Sequence, residues 1–283
     1  EVHKGEVYGF LGPNGAGKST TMRHLMGFSR PKSGDAYIGG KDCWKDHAAI
    51  MKSVGYLPGE VALPDGLNGV QFLEMMKGLR DGHGERMQEI IDLFQVNLNG
   101  SVKKMSIGEK RKLAIVAAFM SDPDILLLDE PTSGLDPVMQ EVFIDFVKSE
   151  KEKGKTVLLS SHIFSEVEAL CDRIAIIKEG RIVSVTNAEE VKHFKRKTFD
   201  ITFADQQNLE KFKQTEFEIK EEDKDARMLS VAAENPQCDK LIKTLVQFDV
   251  VHFVEHNQTL EDYFMNFYKS DRTFGGIAHG KHH

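Results

Sequence analysis

The sequence is poor in the residues that cross-link or stiffen small folds, with three cysteines, eight prolines and one tryptophan among 283 residues. Cys43, Cys171 and Cys238 lie far apart and have no metal-ligand spacing, which argues against a disulfide framework and a zinc site and favours reduced thiols. No apolar run approaches the roughly 20 residues that span a bilayer, and no signal peptide is visible. The sequence therefore predicts no membrane-spanning segment of its own.

The sequence also lacks an excess of positive charge. The formal net charge is −7 and the pI is about 5.9, so no overall basic field favours nucleic acid. Hydrophobic residues make up 40% and charged residues 29% of the chain, which is typical of a globular protein. The length suffices for one large domain or two smaller ones with a substantial core.

Up to about residue 185, apolar runs alternate with helical patterns. Continuous apolar runs over 6–12, 124–130 and 155–162 predict buried parallel strands, and 18–27 predicts a helix closed by a glycine. Residues 166–183 predict a helix, a strand, a Glu-Gly turn and a second strand. This alternation predicts an α/β fold with a doubly wound parallel sheet.

Two segments depart from that alternation. Residues 65–120 carry helical periodicity with no strand between, which predicts a helical insertion into the first domain, 1–187. No glycine occurs between Arg181 and Gly275, and strand-like and helix-like runs follow one another there. We therefore predict a small accessory α+β domain over 188–270 and exclude the His-rich tail, 271–283, from the chemistry.

The segment GPNGAGKST, residues 12–20, fits the phosphate-loop pattern G-x-x-x-x-G-K-[ST] between a predicted strand and a predicted helix. Glycines let the backbone curl so that successive N–H groups point at phosphate oxygens. Lys18 is predicted to reach the β- and γ-phosphates, and Ser19 to bind Mg²⁺. The predicted ATP-binding residues of this loop are Gly12, Pro13, Asn14, Gly15, Ala16, Gly17, Lys18, Ser19 and Thr20.

Two acidic residues, Asp129 and Glu130, end the apolar run ILLL. They are therefore expected at the carboxyl end of a central strand, where open α/β sheets bind ligands. Asp129 suits Mg²⁺, directly or through water, and Glu130 is placed to polarise the attacking water. A boundary between strand and loop with two solvated acids is the competing interpretation.

Together these residues resemble the nucleotide-binding subunit of ABC transporters, a P-loop NTPase. In that family the strand runs into a catalytic Glu, a Pro-Thr and an SGLD turn, and here residues 126–137 read LLLDEPTSGLDP. The resemblance implies that Glu130 and His162 are catalytic and that His162 senses the γ-phosphate. It also implies that Ser133 to Asp136 form the loop used across a dimer interface, with Asp136 at the nucleotide.

Two other motifs match the family with departures. MSIGE, residues 105–109, occupies the position of the signature Leu-Ser-Gly-Gly-Gln, so that Ser106 and Gly108 match while Ile107 and Glu109 differ. VGYLPGE, residues 54–60, resembles the family's Q-loop, but Gly59 stands where a Gln is usual. We expect altered Mg²⁺ or water coordination from that loop.

The resemblance also implies how the protein works. Two such domains meet head to tail, as a homodimer or with a related ATPase subunit. MgATP is held between the phosphate loop of one and the signature of the other. A separate transmembrane permease is expected as partner, with the chain peripheral on the cytoplasmic face of the membrane. Looser similarity of the C-terminal part indicates an exporter of drugs, peptides or lipids, and the adenine-stacking aromatic is expected upstream of Glu1 in a longer chain.

Alternatives remain at this stage. One is a soluble ABC ATPase that acts on ribosomes or DNA, although a single nucleotide domain without a long coiled-coil insertion disfavours it. Another is an ATP-binding regulatory module with weak hydrolysis, which the departures at Gly59 and Ile107 favour slightly. A GTPase is disfavoured, because no N-K-x-D guanine-reading run occurs.

Overall fold

The computed structural model describes residues 1–79, 85–189, 196–256, 260–261 and 264–265. The chain divides into two compact units, the first over Glu1–Asn187 and the second beginning at Ala188. Among the described residues, no helix is both long and apolar enough to cross a membrane.

The first unit is built on a six-stranded sheet. Its strands, in spatial order, are β4 (Val54–Leu57), β5 (Ile125–Asp129), β6 (Thr156–Ser161), β1 (Val7–Leu11), β7 (Arg173–Lys178) and β8 (Arg181–Asn187). A small separate hairpin pairs β2 (Tyr37–Ile38) with β3 (Lys41–Asp42). Every residue of β1 is buried, as expected of a central strand covered on both faces.

The sheet is mainly parallel, as predicted, and one antiparallel strand follows the predicted Glu-Gly turn. Five strands pair in parallel, but β8 returns antiparallel to β7. The chain reverses at Glu179 and Gly180, whose φ angles are 50° and 74°. A two-residue turn with positive φ at both positions matches strand twist and forms a tight hairpin, which leaves no length for a crossover.

Seven helices are described in the first unit: α1 (Lys18–Leu25), α2 (His47–Ser53), α3 (Gly69–Gly78), α4 (Glu85–Leu93), α5 (Ile107–Phe119), α6 (Pro137–Glu152) and α7 (Phe164–Leu170). A 3₁₀ turn spans Val102–Lys104. Helices α3, α4 and α5 come from the segment predicted as a helical insertion, which is thereby confirmed. Both α3 and α4 pack on α5, and α5 contacts β4, so α5 joins the insertion to the sheet.

An aromatic cluster fixes the insertion against α6. The ring centroid of Phe94, the residue after α4, lies 5.6 Å from that of Phe146 of α6, and the centroid of Phe119 of α5 lies 4.9 Å from it. These offset and edge-on arrangements are those that aromatic pairs prefer. The cluster therefore holds three helices from distant parts of the chain in one packing.

A buried ion-pair network lies beside this cluster. The Arg86 guanidinium donates to both carboxylate oxygens of Glu150, at 2.7 and 2.9 Å, and Glu150 is fully buried. Although burial raises the pKa of Glu150, the bonds from Arg86 and Lys153 outweigh it and leave that pKa below its usual range. The pair ties α4 to α6 through a carboxylate that has no access to water.

Within the described part of the second unit, a four-stranded antiparallel sheet is accompanied by two helices with defined bounds. Along the chain its elements are β9 (Arg196–Phe203), α8 (Gln206–Phe212), β10 (Glu218–Asp223), β11 (Met228–Glu234), α9 (Asn235–Leu245) and β12 (Val250–His256). The strand order β10-β11-β9-β12 with this succession is the split β-α-β of ferredoxin-like folds. The predicted α+β class of this unit is confirmed. The run TLEDYFMNFYKS, residues 259–270, predicts a final helix, most of which lies outside the described residues, as does the tail.

Candidate nucleotide site

The phosphate loop lies where β1 ends and α1 begins. Gly15 and Gly17 take φ angles of 81° and 109°, a region that residues with side chains rarely adopt. The loop lines a cavity of about 180 Å³ whose walls are Pro13, Asn14, Gly15, Gly17, Lys18, Ser19, Thr20 and Glu130. The start of α1 opens into this cavity, and a helix start with a curled glycine loop is a favourable anion site.

Lys18 is buried in that loop, with 5% of its surface exposed. Its ammonium donates to the carbonyl oxygens of Gly12 at 2.7 Å and Pro13 at 3.3 Å. It also lies 3.0 Å from Oε1 of Glu130. The loop's own carbonyls and one carboxylate thus hold the positive charge at the wall of the cavity.

Glu130 and His162 meet at the ends of two adjacent strands. Because β5 and β6 are parallel neighbours, the residues that follow them lie side by side. His162 Nδ1 lies 2.5 Å from Oε2 of Glu130. Glu130 has φ of 47°, which is uncommon for a residue with a side chain and costs on the order of 1–3 kcal/mol. Its N–H donates to the Ser160 carbonyl at 3.0 Å, a bond that holds the strained backbone.

Asp129 is buried one residue earlier, and its Oδ1 accepts a hydrogen bond from the Ser160 hydroxyl. Gly59 lies directly against it, because a Cβ built on Gly59 would stand 3.1 Å from Oδ2 of Asp129. The loop after β4 therefore reaches the predicted metal ligand, but it presents backbone there instead of a side chain.

The signature residues lie outside the phosphate-loop cavity. Ser106 caps α5: its hydroxyl accepts from the Glu109 N–H at 3.2 Å, and Glu109 Oε2 accepts from the Ser106 N–H at 2.8 Å. Glu109, which departs from the family's usual Gln, thus completes a capping box. The bond from Ser106 is the main cause that lowers the pKa of Glu109.

The same loop packs on the segment after Glu130. A Cβ on Gly108 would stand 2.9 Å from the Gly134 carbonyl, and Ile107 lies against Gly134 from the other side. Asp136, predicted at the nucleotide, is exposed and caps α6, its Oδ1 accepting from the Met139 N–H at 3.0 Å. Neither Ser106, Gly108 nor Asp136 is among the residues that line the phosphate-loop cavity.

Sequence reasoning missed Arg111, which is 3% exposed. Its guanidinium donates to the carbonyls of Pro58 at 2.7 Å, Ser133 at 3.0 Å and Gly59. Burial is the main cause that lowers its pKa, against the opposing charges of neighbouring carboxylates. One side chain of α5 therefore ties the loop after β4 to the loop after β5. The sequence offers only the basic run KRK before an apolar helical run, which does not distinguish Arg111 from Lys110 and Lys112.

It also missed Glu166, a buried carboxyl on α7, and its partner Ser161. The Ser161 hydroxyl donates to Oε2 of Glu166 at 2.5 Å. Burial is the largest cause that raises the pKa of Glu166 to about 7. The sequence signal was the pair of serines before His162 at the end of a buried strand.

The donor chemistry of the site suits a magnesium nucleotide. Mg²⁺ favours oxygen ligands and is commonly held by one or two carboxylates, a hydroxyl and substrate phosphates. Asp129 offers a carboxylate at the sheet edge, and the hydroxyl of Ser19 lies in the first turn of α1. Among the described residues no group of three or more His, Cys, Asp or Glu forms a metal cluster, so phosphate oxygens would have to complete the shell.

Comparison with known proteins agrees with this geometry. The profile of the ABC transporter family matches residues 1–133. The uncharacterized ABC transporter ATP-binding protein YhcH of Bacillus subtilis (strain 168) is 37% identical over 196 residues, covering 67% of this chain and 63% of YhcH. The bacitracin transport ATP-binding protein BcrA of Bacillus licheniformis is 33% identical over 272 residues, covering 93% of this chain and 89% of BcrA.

Solved structures similar to this chain include an ATP-binding subunit of an ABC transporter. Its TM-score is 0.63 at 28% sequence identity, and the match covers 68% of this chain and 82% of that subunit. The chain belongs to the ATP-binding proteins of ABC transporters. It spans less than two thirds of YhcH's length. The predictions of family and fold class are thereby confirmed.

Proposed function

We propose that this chain hydrolyses MgATP as the motor subunit of an ABC transporter. The observation that supports this proposal best is that Lys18, Glu130 and His162 lie together at the mouth of the phosphate loop. These three groups are connected. The Lys18 ammonium beside the cavity lies 3.0 Å from the Glu130 carboxylate, and the His162 imidazole lies 2.5 Å from the same carboxylate. Such a set can bind a γ-phosphate, polarise a water and stabilise the charge that develops on transfer.

The Lys18–Glu130 ion pair gives ATP a defined effect on the site. Phosphate oxygens compete with Glu130 for the Lys18 ammonium, and the added negative charge repels the carboxylate. Glu130 is then released from Lys18 while His162 still contacts it. Its free oxygen can accept a proton from the attacking water, so substrate binding itself prepares the base.

Ser19 and Asp129 would hold Mg²⁺ between them and the phosphates. When bound, the ion supplies charge neutralisation on the β- and γ-oxygens. The Ser160 hydroxyl fixes Asp129 by donating to Oδ1, which leaves Oδ2 for the ion or for a water. Gly59 offers no side-chain ligand there.

The site is completed, in this proposal, by a second subunit. Ser106 and Gly108 lie at the start of α5 but do not line the phosphate-loop cavity of their own chain. In a head-to-tail dimer the α5 start of one subunit faces the ATP of the other, and Asp136 lies at the same interface. Charge-assisted bonds of about 1.5–3 kcal/mol each would then hold the dimer through the γ-phosphate. Hydrolysis removes that bridge and lets the dimer open.

The transport partner is proposed to be a separate permease. An apolar groove of about 600 Å³ runs between the insertion and the sheet, and its lining includes Phe28, Tyr56, Val61, Phe72 and Met75. Pro58, whose carbonyl is bound by Arg111, also lines the groove, so its occupant would act on the loop that touches Asp129. The relationship to a bacitracin transport protein favours an exporter of drugs, peptides or lipids. The chain would then act at the cytoplasmic face of the membrane.

Two substitutions test hydrolysis. Glu130→Gln should keep ATP affinity, lower turnover by about 100-fold or more, and accumulate as an ATP-bound dimer in light scattering. Glu141→Gln, an exposed glutamate on α6, is the matched control and should behave as wild type. Near-normal turnover in Glu130→Gln would remove Glu130 from the base role.

Lys18→Ala tests the phosphate loop. It should abolish ATP binding measured by calorimetry, while the exposed Lys32→Ala leaves it intact. Retained affinity in Lys18→Ala would contradict the placement of ATP in this loop.

A regulatory module with weak hydrolysis is the second candidate, and Gly59 favours it. The residue touches Asp129 but contributes no ligand or water-holding group. A turnover assay on the wild-type protein with membrane partner present decides between the two. Turnover of about 1 s⁻¹ or more supports the motor, whereas binding without turnover supports the module. Co-purification with ribosomes instead of a membrane protein would indicate a soluble ABC ATPase.

A further inference from the structure

We propose that Glu166 is a positioning residue that holds His162 against Glu130. The inference deepens the proposed function, on which it rests, by assigning a role to a buried carboxyl that the hydrolytic chemistry itself does not use. Three observations carry it: a hydrogen-bond chain through the His162 turn, the nearness of Thr132 in the loop that follows Glu130, and the burial of Ser161, Thr132 and Glu166.

The first observation is the chain of hydrogen bonds around His162. The Ile163 N–H donates to the Ser161 hydroxyl oxygen at 2.9 Å, and that hydroxyl donates to Oε2 of Glu166 at 2.5 Å. The Ser161 hydroxyl therefore links the backbone directly after His162 to the Glu166 carboxyl. Since β6 ends at Ser161, this link holds the turn from which the His162 side chain leaves the sheet.

The second observation concerns the neighbouring loop. Thr132 follows Glu130 by two residues and is buried, with 2% exposure. Its side chain is one of the lesser causes that lower the pKa of Glu166, against the rise caused by burial. Glu166 is therefore bonded to the turn that carries His162 and lies near the loop that follows Glu130. A displacement of this one carboxyl would change the 2.5 Å separation between His162 Nδ1 and Glu130 Oε2.

The third observation is that the Glu166 carboxyl is buried at a position where an apolar side chain would pack well. Glu166 is 2% exposed and Ser161 fully buried, and Glu166 is followed on α7 by buried Val167. Among the described residues, Oε1 of Glu166 has no hydrogen-bond partner. A buried carboxyl with one unpartnered oxygen is costly, so a purely structural site would be better filled by a hydrocarbon side chain.

Electrostatics are consistent with this role. Burial raises the pKa of Glu166 to about 7, Glu130 raises it further, and Arg111 opposes the rise. Cys171, also buried beside it, has its pKa raised by its own burial and by Glu166. A carboxyl whose pKa is raised to about 7 carries less negative charge next to Glu130 at neutral pH than an ordinary glutamate does, while its oxygen still accepts from Ser161. This suits a group that positions the pair without perturbing its charge.

Turnover in the full chain provides the first test, with variants Glu166→Ala, Glu166→Gln and Ser161→Ala. Glu166→Ala should lower kcat by about 10–100-fold with KM for ATP changed by less than about 3-fold, because the phosphate loop is untouched. Glu166→Gln retains an acceptor oxygen of the same shape and should restore kcat to within about 3-fold of wild type. Ser165→Ala, exposed on the same helix, is the control and should match wild type.

Coupling between Ser161 and Glu166 sharpens that test. Ser161→Ala should reproduce the kcat loss of Glu166→Ala, and the double variant should lose no more than either one, since both break one chain. Additive losses would overturn the proposal. So would a failure of Glu166→Gln to rescue, or a loss in Glu166→Ala that appears equally in kcat and in ATP affinity.

The imidazole of His162 provides a readout independent of hydrolysis. Nitrogen-15 spectra of the histidines, with His162 assigned by its absence in His162→Asn, report the Nδ1 contact with Glu130. Glu166→Ala should move the His162 signal toward that of a freely exposed histidine, and Glu166→Gln should leave it in place. An unmoved signal in Glu166→Ala refutes the positioning role. If wild type fails to hydrolyse ATP but the signal moves as expected, the proposed function fails and the positioning role stands.

Discussion

Replacement of Arg111 should weaken the packing of the loops around the site without removing any group that we assign to ATP binding or hydrolysis. Arg111 reaches from α5 to three backbone carbonyls on two loops, at Pro58, Gly59 and Ser133. It touches no atom that we assign to ATP. Arg111→Met keeps the length and apolar stem of the side chain but removes every donor, and Arg111→Lys keeps the charge without the planar fork.

The size of the effect follows from the three bonds. A hydrogen bond from a charged donor contributes about 1.5–3 kcal/mol, and a buried carbonyl left without a donor costs about 1–3 kcal/mol. Methionine returns part of this because no charge has to be desolvated. The net loss for Arg111→Met should therefore be about 3–5 kcal/mol. Against a total stability of about 5–15 kcal/mol, the variant should still fold.

The chain offers a selective probe for this measurement. Its one tryptophan, Trp44, lies in the first unit and is 43% exposed, so its fluorescence reports unfolding of that unit and not of the second. With a urea slope of about 2–3 kcal/mol/M, Arg111→Met should lower the midpoint by about 1–2 M. Arg111→Lys should fall between Arg111→Met and wild type.

Lys103→Met is the matched control, since Lys103 is 72% exposed and pairs with Asp65 at 3.5 Å. It removes the same charge and should change stability by less than about 0.5 kcal/mol. A midpoint for Arg111→Met within 0.2 M of wild type, on the order of the measurement error, would refute the reasoning. It would mean that the three carbonyls find other partners without cost.

Three further predictions concern neighbouring features. Gly59→Ala would place a Cβ 3.1 Å from Asp129 Oδ2. It should raise the Mg²⁺ concentration for half-maximal turnover by about 2–10-fold. An unchanged Mg²⁺ concentration for half-maximal turnover would contradict this contact. The pKa of Glu166 is raised to about 7, so its contribution to stability is present at low pH and is lost as pH rises from about 4.5 to 7. The free energy of unfolding of Glu166→Gln should therefore equal that of wild type near pH 4.5 and exceed it by up to about 3 kcal/mol at pH 8. Urea unfolding at each pH measures the difference, and a difference that does not change with pH would contradict the prediction. Arg86→Met removes the main partner of the fully buried Glu150 and should destabilise the first unit by about 3 kcal/mol, which the same fluorescence would report; the double variant with Glu150→Met should recover part of that loss.

Short sequence patterns predict the position of several residues of the site. The phosphate loop is readable from sequence because its glycines, its lysine and the following helix start act within nine consecutive residues. The same holds for Asp129 and Glu130, since a continuous apolar run followed by two acids predicts its own strand end. Ser106 as a helix cap and the turn at Glu179 are also consequences of short-range geometry.

Other features depend on contacts between residues far apart in the chain. Which strand ends are neighbours follows from the order of β5 and β6 in the sheet, and that order brings His162 within 2.5 Å of Glu130. Arg111 meets Pro58 across 53 positions, a contact that no periodicity in either segment predicts.

Burial decides the remaining questions, because it determines which charged groups lose water and need protein partners. Glu168 and Glu166 are both glutamates on α7, two positions apart. The helix turns Glu166 beneath the sheet edge, where it is 2% exposed and bonded to Ser161. Sequence patterns therefore specify the elements and the chemistry of single loops, whereas packing selects which of their polar groups interact, since desolvation is a property of the assembled core and not of the chain.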